Sequence, residues 1–157
     1  MLRLLPAALT HSPSHMPMTN ERLFRIAKPF LRLSLSAAFL SSMADRFGLY
    51  GPPGKGASWG DWPHFVQFVG ALNWFLPKAT IPTLSVVETV IEFALAIALL
   101  LPFYQRIVAL LSSALLLSFA LTMWMALGIS APLGYSVFTA SAAALLLSTF
   151  SDQRTLH

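Results

Sequence analysis

Glu88 and Glu92 stand four residues apart in IPTLSVVETVIEFALAIALL, a segment with no other charged residue. At that spacing two side chains leave a helix on one face, and counted from either end both acids lie well inside the apolar run. An ionised carboxyl in hydrocarbon costs ~2.5 kcal/mol or more on insertion scales, so acids placed there turn toward other helices or a cavity and mark routes for protons and ions. Two carboxylates on one face in a low dielectric cannot both ionise without strong repulsion, so one holds a proton or a cation stands between them. Arg46, next to Asp45 at the end of an earlier apolar stretch, is the best candidate partner for Glu88, and Arg32 is a weaker one for Glu92 from the opposite side. Arg46 has a competing option, a local pairing with Asp45 and lipid headgroups. The chemistry on offer is that of a general acid or base; the plainer role for the same acids is interhelical glue that sets helix register.

The remaining reactive residue types are sparse. The chain has no cysteine, which excludes disulfides, thiol relays and Cys-ligated iron–sulfur or zinc sites within it. Its four histidines are scattered, none at ligand spacing inside an apolar stretch, and His64 with Asp61 is too little for a metal site. Neither metal nor haem ligation is expected from this chain alone. Gly51-Pro-Pro-Gly-Lys-Gly56 resembles a phosphate loop only superficially: Gly56 follows the lysine where a Ser or Thr should hold magnesium, and Leu49 takes the place of the leading glycine. A plain turn is expected there. Met123, Trp124 and Met125, with Thr122, read as packing or an aromatic belt before they read as the wall of a ligand pocket.

Four apolar stretches carry these residues, at about 29–47, 80–101, 106–127 and 132–150. Each approaches the ~20 residues that cross a hydrocarbon core of ~30 Å. Pro29 and Pro82 suit first turns, Pro102 falls just past an end, and Gly128 is a natural stop. Ser34, Ser36, Ala37, Ala38, Ser41 and Ser42 give the first stretch a small-residue surface suited to close helix contact. Connections of about four residues make the second, third and fourth stretches antiparallel neighbours. The connection 48–79 is longer and holds Trp59, Trp62 and Trp74; its part 62–75 has enough apolar residues for a short helix at a membrane interface.

Composition agrees with a membrane chain. Of 157 residues, 56% are hydrophobic and 10% charged, against roughly 25% charged in a soluble domain. The formal charge is +4, but basic residues cluster beside apolar segments and form no stripe, so nucleic acid is not an expected partner. Arg3, Arg22, Arg25, Lys28, Arg32, Arg106 and Arg154 lie on one side of the spans, against Arg46, Lys55 and Lys78 on the other. That bias places both termini in the cytoplasm and the tryptophan-bearing loop outside. The expected fold is therefore an all-α integral membrane protein, a bundle of four transmembrane helices with a long extracytoplasmic loop between the first and second. Segment 1–25 reads as disordered, with Met16 or Met18 as alternative starts, 26–150 as the helical domain, and 151–157 as a cytoplasmic tail.

The segment Arg32-Leu-Ser-Leu-Ser-Ala-Ala-Phe-Leu-Ser-Ser-Met-Ala-Asp-Arg-Phe-Gly48, with Glu92-Phe-Ala-Leu-Ala-Ile-Ala-Leu-Leu-Leu-Pro-Phe-Tyr-Gln-Arg106, resembles the DoxX family of small four-helix bacterial membrane proteins. The likeness runs from about Arg32 to Phe150 and rests on hydrophobic pattern plus Arg46, Glu92 and Arg106. Two departures stand out: a long tryptophan-rich outer loop, and Ala94, Ala96 and Ala98 where the family usually has glycines. The resemblance implies a bacterial inner-membrane protein that works as a subunit or partner of an oxidoreductase, with a quinone as associated cofactor and none held by the chain itself. On that reading Glu88 and Glu92 handle protons. Two other classes fit the same acids: a small-solute or proton-coupled transporter, which a homo-oligomer would favour, and a non-catalytic membrane assembly or scaffold protein.

Overall fold

The structure, a computed structural model, describes residues 18–54 and 56–150. It is all-helical, with no strand among the described residues. The helices are α1 (Met18–Arg46), α2 (Trp62–Leu72), α3 (Ile81–Leu100), α4 (Gln105–Leu127), α5 (Ser130–Gly134) and α6 (Val137–Thr149), and a 3-10 turn, Lys78–Thr80, leads into α3. Two spans, Lys78–Leu100 and Gln105–Leu127, each of 23 residues with mean hydropathy 2.0 and 2.1, are long and apolar enough to cross a membrane.

The long helices pack as a ring in which α1 meets α3, α3 meets α4, α4 meets α6 and α6 returns to α1. Leu35 and Phe39 of α1, Leu95, Ala96 and Leu99 of α3, Val108 and Ala109 of α4, and Ala144 and Leu147 of α6 make one core. Small residues let the backbones approach. Ala96, Ala109 and Ala144 are fully buried, and the Ser36 hydroxyl donates to the Ala96 carbonyl at 2.9 Å. Ser113 and Ser141 exchange hydrogen bonds, each hydroxyl donating to the other's carbonyl at 2.9 Å. The outward faces are apolar instead: Val86, Val90, Phe93, Ile97, Ile107, Leu111, Leu121 and Met125 are exposed.

Two boundaries differ from the sequence reading. The first helix begins at Met18, so 18–25 is helical where disorder was expected; 1–17 and 151–157, with Met1 and Met16, lie outside the described residues. Good helix formers (Glu21, Arg22, Leu23, Arg25, Lys28) precede Pro29, which ends up inside α1 and removes one backbone bond without ending the helix. The expected single helix 132–150 is broken. It divides at Tyr135 and Ser136, the latter left-handed at φ 56°, behind the poor helix former Gly134. Its longer part, α6, has 13 residues, which at 1.5 Å each falls short of a ~30 Å core by itself.

Between α1 and α3 the described residues 51–54 and 56–57 are irregular, and the Gly54 amide donates to the Ala57 carbonyl at 3.2 Å. Then α2 starts at Asp61, whose side chain accepts from the His64 amide at 2.9 Å, with Pro63 in the first turn. Phe65 and Val69 of α2 pack on Ile81 of α3, with Trp59, Trp62 and Leu84 around them. That seats α2 across one end of the helix ring.

Candidate functional site

Arg46 is the last residue of α1, where a cation complements the helix dipole. Its guanidinium is turned inward and buried, with Arg46 and Glu92 only 3% and 1% exposed. The Nη2 group donates to both Glu92 oxygens, at 2.7 and 2.8 Å, and to the Ser42 hydroxyl at 3.0 Å. Nη1 donates to the Thr89 hydroxyl oxygen at 2.9 Å, and that hydroxyl in turn donates to the Ser85 carbonyl at 2.8 Å. The Phe65 ring lies flat against the cation, its centroid 3.9 Å from Cζ, and Trp59 is at 5.4 Å. Such desolvated cation–π contacts contribute ~2 kcal/mol.

Asp45, the neighbour, faces the other way. Its carboxylate accepts backbone amides from Ser58 at 2.7 Å, Trp59 at 3.2 Å and Gly60 at 2.9 Å. The Asp45–Arg46 dipeptide is thus a junction: the acid pins the loop and the base pins α3. Only glycine fits at 60, where φ is +70° and a Cβ would sit 2.7 Å from both the Gly51 carbonyl oxygen and the Pro53 nitrogen. Anchoring the loop there is what lays Trp59 beside Arg46. The pairing of Arg46 with Asp45 offered by the sequence does not form.

Beneath α2 lies a cavity of about 460 Å³, within the ordinary range for small-molecule sites. Its walls are mostly apolar, with Phe65, Phe68 and Leu72 from α2, Phe119 and Met123 from α4, and Tyr135 and Val137 beyond α5. Arg46, Glu92 and Glu88 stand on its polar side, together with Asp45, Ser42 and Asn73. Glu88 is half-buried and makes no hydrogen bond or ion pair among the described residues. The two acids therefore differ in kind, one held through both its oxygens by its arginine and one facing open space.

The structure brings Glu88, Glu92 and Arg46 to one cavity but pairs them differently from the sequence expectation. Arg46 takes Glu92, not Glu88. Side chains on a helix lean toward its N-terminus; because α1 and α3 run antiparallel, Arg46 leans inward by a turn, to Ser42, while Glu92 leans outward to meet it. Arg32 does not approach Glu92. Its Nε donates to the Leu99 carbonyl at 2.7 Å and its Nη2 to Leu100 and Leu101 at 2.8 and 2.9 Å, satisfying the last carbonyls of α3. Ser42, Thr89, Trp59 and Phe65 were missed as partners of Arg46. Ser42 and Thr89 carried a signal, since each lies at helical spacing from Arg46 or Glu92; the loop aromatics carried none. Met123 lines the cavity, whereas Trp124 and Met125 are exposed. Among the described residues no group of three or more His, Cys, Asp or Glu side chains could hold a metal.

No protein-family profile, no curated protein and no solved structure matches the chain.

Proposed function

We propose that this chain is a DoxX-like protein of the bacterial inner membrane whose outer cavity receives a small, largely apolar molecule, with Glu88 exchanging a proton with it. In this reading α1, α3, α4 and the α5–α6 pair all cross the bilayer, with both termini in the cytoplasm and α2 at the outer interface. The observation that carries the site is the contrast between the acids: Glu92 is committed to Arg46, while Glu88 opens on the cavity without a partner. A carboxyl in that position can hold or release a proton at the ligand, the role a general acid or base needs. Glu92 and Arg46 are then positioning residues that keep the cavity's polar end in place.

A quinone fits what the cavity offers, a flat apolar ring between Phe68, Phe119 and Val137 and a carbonyl oxygen toward Glu88. When bound it would supply redox chemistry that the chain's own side chains lack, consistent with a subunit or partner of a membrane oxidoreductase. The test uses the full chain in phosphatidylcholine nanodiscs and a short-chain benzoquinone. Trp59 lines the cavity, so binding should quench tryptophan emission saturably, and Glu88→Gln should weaken it by about tenfold, the worth of one hydrogen bond to a charged or strongly polar group. An infrared band from a protonated carboxyl should disappear in Glu88→Gln and persist in Glu92→Gln. Unsaturable quenching, or equal affinity in the Glu88 variant, overturns the proposal.

A further inference from the structure

The outer cavity is covered by α2 but is not closed on every side. Among its lining residues, those from α3 and α4 (Glu88, Glu92, Leu116, Phe119, Thr122 and Met123) are buried or half-buried. Ala38 and Ser41 of α1, Tyr50, Gly56 and Ser58 in the loop beyond, and Tyr135 ahead of α6 line it too, yet are exposed at the molecular surface. A wall reached from both sides marks a mouth, and this one lies between α1 with its loop and the α5–α6 pair. Val137 and Ala140, half-buried, line the cavity on the α6 side. The mouth extends down to Ala38, eight residues and about 12 Å along α1 from Arg46. That depth is below the helix end, where the surroundings are hydrocarbon if α1 crosses the bilayer.

Side-chain size explains why the mouth stays open. Ser34, Ala38 and Ser41, at spacings of four and three, form one stripe of α1, and all three are exposed. The sequence reads this small-residue surface as suited to helix contact, but only its inward neighbours, such as Ser36 on Ala96, make such a contact. Inside the mouth the cavity turns polar. In the ring of helices α3 stands diagonally across from α6, so a molecule passing between α1 and α6 presents its leading end to Glu88. Arg46, buried and lining the same cavity, keeps its Nε donor without a partner, and buried donors are normally paired, so the leading end should carry an acceptor oxygen. The space of about 460 Å³ holds roughly fifteen non-hydrogen atoms at the ~30 Å³ of a water-sized one. A substituted ring fills it, and anything longer has to leave through the mouth.

We infer that the outer cavity is entered sideways from the bilayer, and that its occupant is a lipid with a compact, oxygen-bearing ring head inside and a long apolar tail lying out along Ser41, Ala38 and Ser34. The tail path rests on the ligand site and membrane placement proposed above. Stripe and cavity share Ala38 and Ser41, and this continuity favours a tail over a second copy of the chain, which would seal the mouth.

The test uses the full chain in phosphatidylcholine nanodiscs and two benzoquinones, one without a tail and one with a decyl tail ending in a photoactivated diazirine. Both should quench Trp59 saturably. On illumination the tailed probe should label α1 between residues 33 and 41 and the first half of α6, and unlabelled decyl benzoquinone should compete. Ser34→Phe, a change at an exposed position outside the cavity, should weaken the tailed probe by about fivefold, the low end of what overpacking costs, while the tail-free ring reports whether the cavity is intact. Labelling on the outward faces of α3 and α4, or spread evenly over all lipid-facing helices, overturns the path, as does an unchanged affinity of the tailed probe in Ser34→Phe. A disulfide-linked dimer of Ser34→Cys that persists at saturating tailed probe gives the stripe to a second copy and overturns the tail. Saturable binding of the tail-free ring alone also overturns the tail but keeps the ligand site, whereas failure of both rings overturns the ligand site itself.

Discussion

Arg46 and Glu92 form a pair that neither side chain could leave without stranding the other. Removing the cation leaves the buried Glu92 carboxyl without a partner, and breaking such a pair from one side typically costs 3–5 kcal/mol. Arg46→Gln should therefore destabilise the fold by about that amount in a detergent-unfolding titration, and Arg46→Lys should recover only part, because an ammonium cannot reach Thr89, Ser42 and Glu92 in one plane. The double change Arg46→Met, Glu92→Met should be far milder than the sum of the singles. If Arg46→Gln unfolds at the wild-type midpoint, the pair is not holding α1 to α3. The acids themselves were legible in sequence by their depth and spacing. Their division of labour was not, since it depends on which carboxyl meets Arg46 once two antiparallel helices lean their side chains toward each other.

Among the elements, α2 is the one held by few and identifiable contacts. Asp61 caps its first turn, and hydrogen bonds from the His64 amide first, then its ring, hold the Asp61 carboxyl below its ordinary value. A depressed carboxylate contributes stability that is present above its unfolded value, ~4, and lost as pH falls through the lower folded value. Amide exchange at residues 62–66 should therefore rise below about pH 4 while the core of α3 stays protected; protection of α2 that is flat to pH 2 would exclude Asp61 as the cap. Upstream, Gly60→Ala should lift the loop from Asp45, raising acrylamide quenching of Trp59 without unfolding α3 and α4. A similar logic applies to the α4–α6 contact. Ser113→Leu inserts bulk where two hydroxyls exchange bonds at 2.9 Å, and overpacking of this kind costs ~1–3 kcal/mol, read as a melting temperature lowered further than in Ser113→Ala, which loses one hydrogen bond worth ~1 kcal/mol. These hydroxyls sit in segments whose pattern shows only that small residues recur; which two meet is a matter of helix rotation.

At the scale of the molecule, the apolar exterior and the two helices able to cross a membrane agree with placement in a bilayer, and the proposed orientation can be checked directly. Cysteine at Ser58, in the loop over the outer cavity, should react with an impermeant thiol reagent in intact cells, and cysteine at Phe103, in the exposed α3–α4 turn, should react only after the membrane is opened. The reverse pattern would invert the topology. By itself the sequence determined that the chain is helical, where α3 and α4 begin and end, and that two acids and an arginine would have to be sheltered, because hydrophobic run length, proline and glycine placement and the cost of buried charge act locally along the chain. Only the tertiary structure decided that Arg46 takes Glu92 and leaves Glu88 facing the cavity, that Arg32 closes the end of α3, that the last helix breaks at Ser136, and that Asp45 folds the tryptophan loop over the site. Each of these depends on the relative rotation and depth of segments distant in sequence, and those are set by how small and large side chains interlock across the whole bundle.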